Sequence, residues 1–154
     1  MKISKLLLSA LIGLGLTMPL MAGSATSEAL IAKTAKSVPS ISPKDLKKMI
    51  DNEDDLWMLD IREPYMRNEG SIEGMDNAAV GRGTLEFDIE HEIEDKDALI
   101  IVYCRSGKGA VLSANTLLTK MGYKNVRYLE GGLDGWLEAG YSIFNHFGEL
   151  QLVK

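Results

Sequence analysis

ALIIVYCRSGKGAVLSANTLLTKMGYKNVRYL, residues 98–129, is the stretch on which the fold turns. ALIIVY at 98–103 is an unbroken apolar run rich in Ile and Val, the pattern of a strand covered on both faces as in a parallel sheet. Val111, Ala114, Leu117, Leu118 and Met121 then recur at helical spacing, and Gly122 stands where it can end the helix. VRYL at 126–129 is a further strand candidate, and strand, helix, strand in this order predicts a right-handed βαβ unit. Upstream, SPKDLKKMIDN predicts a helix with Ser42 as N-cap and Pro43 at its first position, and LWMLDI at 56–61 predicts another buried strand. The alternation implies an α/β fold: one domain whose mostly parallel central sheet carries helices on both faces. In such sheets function gathers beyond the carboxyl ends of the strands.

Cys104, the single cysteine of the chain, falls immediately after ALIIVY and a few residues before the helix. A strand-to-helix turn gathers free backbone N–H groups and the positive end of the helix dipole, so an anion such as a thiolate is favoured there. An ordinary thiol, titrating near about 8.5, is only ~3% ionised at pH 7, whereas helix N-termini and cationic neighbours bring such groups to roughly 3.5 to 7.5. Arg105 and Lys108 add two positive charges, while Gly107 and Gly109 let the backbone curl and approach a bound anion closely. Together these features read Cys104 as a nucleophile ringed by N–H groups, against the plainer reading of a last strand residue before an exposed turn.

Other loop chemistries fit the letters less well. A cysteine-dependent phosphatase or arsenate reductase shares the logic of the loop, but Ala110 stands where a phosphatase carries its phosphate-gripping arginine. Lys108 is followed by Gly109 rather than by Ser or Thr, which argues against a nucleotide-binding P-loop. His91 and His146 are the available bases for a cysteine protease, and both read as surface residues. Two scattered histidines and one cysteine make no zinc signature, so no metal is expected, and no cofactor.

The amino terminus, MKISKLLLSALIGLGLTMPLMAGSA, joins Lys2 and Lys5 to an apolar run and then small residues, the layout of a secretory signal peptide. We take residues 1–22 as that peptide, which places the mature protein in a periplasm or outside the cell. The apolar run falls short of the roughly 20 residues a membrane-spanning helix needs, so no membrane association is expected after cleavage. Residues 23–40, small and polar with little periodicity, read as a flexible leader, and residues 41–154 as the domain. Losing two lysines makes the formal charge of −5 still more negative, which disfavours nucleic acid as a partner. An exported chain with one cysteine has no internal disulfide to form, so the thiol is buried, paired between molecules, or free for chemistry.

Three motifs in sequence order resemble the rhodanese (thiosulfate sulfurtransferase) homology domain in its single-domain exported form. LDIREPYMRNEGSIEGMDNA is similar to the family's stretch after its second strand, YCRSGKGA to its catalytic loop, and LEGGLDGWLEAGY to its closing motif. Ser71 stands where the family often has His, and Ala110 where the loop usually continues with Ser or Thr. The resemblance implies a sulfur relay: Cys104 takes the outer sulfur of thiosulfate or a similar sulfane donor, carries it as a persulfide, and passes it to cyanide, a thiol or a sulfur-relay protein. It also implies that Arg105, Ser106, Gly107, Lys108 and Gly109 bind the substrate, with Arg105 and Lys108 attracting a dianionic donor. A carrier module serving a dedicated partner is the alternative. Asp60 and Arg62 are either a charged network buttressing the loop or a structural ion pair. Arg82 either lines the rim or sits in a plain surface turn. Trp136 is expected to close the core, with Gly131 and Gly132 forming the turn before the last helix.

Overall fold

The computed structural model describes residues 22–152. The expected signal peptide lies outside that range except for Ala22, which opens helix α1 (Ala22–Ala35). Next come β1 (Ser40–Ile41), α2 (Pro43–Asp51), β2 (Trp57–Asp60), a 3-10 turn (Pro64–Glu69) and β3 (Asp76–Ala79). The chain continues through α3 (Leu85–Glu92), β4 (Leu99–Tyr103), α4 (Lys108–Thr119), β5 (Asn125–Leu129) and α5 (Gly132–Glu138). It closes in a hairpin of β6 (Ile143–Asn145) and β7 (Gly148–Leu150).

Five strands form one parallel sheet in the order β1-β5-β4-β2-β3. Alternate residues of each strand face opposite ways, so an element buried on both sides must be apolar throughout. In β4, Ile100 and Val102 join Leu59, Ile61, Leu85, Ile89, Ala114 and Leu117 on the face covered by α3 and α4. Its Ile101 and Tyr103 join Leu46, Met58, Leu129, Leu133 and Trp136 on the face covered by α2 and α5. That double burial explains why ALIIVY contains no polar residue.

Residues 23–40, expected as a flexible leader, are largely structured here. Most of them belong to α1, which packs against α4, and Val38 reaches the core. The segment has no marked apolar stripe, so it lacks a helical signal in sequence. Its alanines favour helix, and its contact with α4 supplies the rest. Strand β3 was equally hidden, because Asp-Asn-Ala-Ala carries no apolar alternation, and it pairs with β2 along its whole length.

The register matters for function. Asp60 at the end of β2 lies opposite Tyr103 at the end of β4 and Ala79 at the end of β3. The segments that follow these strands, and the one that follows β5, therefore emerge side by side at one edge.

Candidate active site

Cys104 is half-buried, free of any disulfide, and seated directly beyond β4 against the core on the α3/α4 face. The backbone after it turns through Gly107, whose φ of +80° is a left-handed conformation suited to glycine, and enters α4. Val111 N–H donates to the Gly107 carbonyl at 3.1 Å, while among the described residues none of the N–H groups of residues 105–110 donates to another backbone carbonyl. They remain available to an anion at the mouth of α4. A Cβ on Gly109 would stand 3.5 Å from the Cys104 Sγ and 3.6 Å from Ile61 Cδ1, so position 109 borders the sulfur.

The floor of this loop is the start of α5. Leu133 N–H donates to the Cys104 carbonyl at 2.9 Å and Asp134 N–H to the Arg105 carbonyl at 3.0 Å. Gly132 has a φ of +58°, and a Cβ there would come within 2.5 Å of the Gly107 nitrogen and 2.8 Å of the Arg105 carbonyl oxygen. Gly132 thus does more than begin a helix. It lets two backbones meet beneath the cysteine.

Beside it, β2 ends in a buried charge cluster. Arg62 Nε donates to both carboxylate oxygens of Asp60 at 3.0 Å, and its Nη2 donates to Asp60 Oδ2 at 2.6 Å and to the Gly70 carbonyl at 2.8 Å. Its Nη1 donates to Glu69 Oε1 at 2.7 Å. Burial alone would lower the Arg62 pKa, but the hydrogen bond and charge of Asp60 overcome it and hold the guanidinium above its ordinary value. Tyr103 packs under this cluster, its hydroxyl accepting from Ile72 N–H at 3.3 Å. Burial, reinforced by the Asp60 charge, pushes its phenol above the usual range.

Glu69 connects the two regions. Its second oxygen takes a hydrogen bond from Arg105 Nη1, and Arg105 Nε pairs with Asp134 Oδ1 at 2.5 Å. The Glu69 hydrogen bond raises the Arg105 pKa, with burial opposing it and Asp134 adding to it. Lys108 pairs with Glu28 of α1. The two cations expected to face a donor are thus each engaged by carboxylates. Among the described residues Asp60 and Arg62 make no hydrogen bond to the sulfur, and Glu69 links their cluster to the loop.

Other candidates lie elsewhere. Arg82 N–H donates to the Ile61 carbonyl at 3.1 Å, but the Arg82 guanidinium pairs with Glu86 at 3.2 Å and not with the loop. Ser106 is exposed, and Ala110 is fully buried against the core, where a larger polar side chain would have little room. Ser71 donates to Asp60 Oδ2 at 3.5 Å, and its backbone pairs with Phe144, which ties the closing hairpin to the domain. His91 and His146 are exposed. A pocket of about 200 Å³ beside β3 is walled by Met58, Asp60, Ser71, Asn77 and Tyr103. Those side chains belong to the α2/α5 face, and Cys104 is not among its walls. Trp136 closes the core, its Nε1–H donating to the Ser142 carbonyl at 2.8 Å. Glu28, Glu69 and Asp134 carried no signal in sequence, since an acidic residue on a mostly polar segment reads as solvated surface.

The family described as Rhodanese-like domain matches residues 42–139. A Schizosaccharomyces pombe protein named putative thiosulfate sulfurtransferase, mitochondrial, is 33% identical over 90 residues, covering 53% of this chain and 61% of that protein. A Bacillus subtilis protein named putative sulfur carrier protein is 28% identical over 105 residues, covering 68% of this chain and 54% of that protein. The chain thus spans less than two thirds of the length of either. Among solved structures, the polysulfide-sulfur transferase homodimer of Wolinella succinogenes superposes with a TM-score of 0.66 at 26% identity, covering 85% of this chain and 91% of that one.

Proposed function

We propose that this chain, which belongs to the rhodanese-like domain family, moves sulfane sulfur through a persulfide on Cys104. The observation that carries the reading is the place of Cys104: a lone, half-buried thiol at the carboxyl end of a central strand, at the entrance of α4, within a loop whose N–H groups are uncommitted to other backbone carbonyls. Relatives named for sulfur transfer and sulfur carriage support the same chemistry.

In the first step the Cys104 thiolate attacks the outer sulfur of a donor R–S–S⁻ or of thiosulfate. The S–S bond of the donor breaks, and the thiolate R–S⁻ or sulfite leaves with the electron pair. Cys104 then carries a terminal anionic sulfur, which the N–H groups of Arg105 to Gly109 and the N-terminus of α4 are suited to stabilise. In the second step a thiol, cyanide or a partner protein attacks that outer sulfur and Cys104 is released as thiolate. No net redox change occurs, and no cofactor enters either step.

A carrier that loads once and waits for a dedicated partner is the second reading, favoured by the pairing of both loop cations with carboxylates. The lysines and apolar run of residues 1–22 support an exported, periplasmic or secreted setting.

The deciding experiment is intact-mass spectrometry of the reduced protein before and after exposure to saturating thiosulfate and to an alkyl persulfide, with Cys104→Ser in parallel. One added sulfur on the wild type alone, removable by cyanide or a thiol, is the expected result. Absence of added sulfur with both donors on folded protein would overturn the reading. Multiple turnover with a simple thiol acceptor separates enzyme from carrier.

A further inference from the structure

The charge arrangement around Cys104 bears on which donor it takes, an inference that rests on the sulfur-transfer reading above. Two cations flank the loop, Arg105 and Lys108. Three carboxylates meet them: Glu69 and Asp134 on Arg105, Glu28 on Lys108. Arg62 also touches Glu69, but Asp60 already balances that guanidinium. The two loop cations are therefore outnumbered, three to two, by the carboxylates that meet them, within a chain that is itself at −5. An anionic donor meets repulsion there, and the repulsion grows in proportion to its charge.

We propose that Glu28, Glu69 and Asp134 determine donor selectivity at this site, turning it away from dianions such as thiosulfate and toward thiol-borne persulfides of zero or single net charge. These pairs neutralise Arg105 and Lys108 instead of leaving them free to draw donors in. The chemistry is the same sulfur exchange: Cys–S⁻ attacks R–S–S⁻, the donor S–S bond breaks, and R–S⁻ departs, with a less negative R–S–S⁻ reaching the sulfur more readily.

The test uses three donors of stepped charge: ionised cysteamine persulfide, which is neutral overall; cysteine persulfide, singly negative; and thiosulfate, doubly negative. Cys104 loading rates are followed by rapid-quench mass spectrometry in the wild type and in Asp134→Asn, Glu28→Gln and Glu69→Gln. Glu28 is exposed and Asp134 half-buried, and Glu69→Gln retains an oxygen for Arg62, so the experiment does not hang on one variant. Across several ångströms of partly screened solvent, removing one carboxylate changes the rate by about threefold per unit of donor charge. The Asp134→Asn variant should then speed thiosulfate by roughly tenfold and cysteine persulfide by about threefold, leaving cysteamine persulfide unchanged. Added salt should quicken wild-type loading by thiosulfate, because screening relieves repulsion.

Equal acceleration of all three donors, thiosulfate rates within about twofold of wild type in every variant, or slowing of wild-type thiosulfate loading by salt would each overturn the proposal. Loading by none of the donors would instead overturn the sulfur-transfer reading itself, and this one with it.

Discussion

The ends of β2 and β4 are neighbours in register, yet they are built on opposite principles. At the end of β2, Asp60 and Arg62 are nearly sealed from solvent, and the guanidinium spends its donors on Asp60, Glu69 and the Gly70 carbonyl. At the end of β4, Cys104 is half-open and its surroundings are backbone N–H groups not spent on other backbone carbonyls. A buried charge has to be fully matched or it destabilises the fold, because the cost of desolvating an unpaired ion is several kcal/mol. A reactive group needs the reverse, donors left unpaired until an anion forms among them. Charge serves as mortar in one place and backbone polarity as reagent in the other, with Glu69 as the joint between them.

The sharpest way to break this contrast is to remove the sulfur. Cys104→Ser should abolish sulfur loading while shifting stability by no more than about 1 kcal/mol, since the side chain changes by one atom in a half-open position. Intact mass and urea unfolding read the two effects. Next in size is Arg62→Ala, which strands Asp60 in the interior. Stability should fall by about 3–5 kcal/mol in urea unfolding, and pairing it with Asp60→Ala should recover part of that loss. A smaller loss would mean that water reaches the cluster and that the charge is not mortar.

Gly132→Ala probes the other side. Its Cβ would collide with the backbone of the loop, and positive φ adds strain, so about 2–3 kcal/mol of stability and most of the loading rate should go together. Loss of stability with unchanged loading would separate α5 from the active loop.

The smallest effect concerns Tyr103. Its phenol is held protonated in the folded state, with a pKa above that of the unfolded chain. Its contribution is fully present below about pH 10 and is lost as pH rises, because the unfolded chain releases its proton first. Stability of the wild type should decline above that pH by up to about 1.4 kcal/mol per pH unit from this residue. Tyr103→Phe should be flatter in the same range, at a cost of about 1 kcal/mol at neutral pH for the hydrogen bond lost from Ile72. Identical slopes would refute the assignment.

Much of this was legible from residues. The unit from Leu99 to Leu129 declared itself because a strand buried on both faces must be apolar throughout and a covered helix must repeat its apolar residues every three or four positions. Helix α2 announced its start through Ser42 and Pro43, and Ser42 does accept from Asp45 N–H at 3.1 Å. Strand β3 and helix α1 gave no such sign, because one borrows its stability from pairing with β2 and the other from docking on α4.

The candidate site divides along the same line. From sequence alone come the identity of the thiol, its place between a strand and a helix, and the glycines that let the chain turn, since each follows from local constraints on a few adjacent residues. The state of the charges around it came only from the tertiary structure. Arg105 meets Glu69 across 36 positions of the chain and Lys108 meets Glu28 across 80. Letters show that a cation exists. Which carboxylate answers it depends on where distant segments come to rest, because electrostatic pairing follows distance in space and carries no period along the chain.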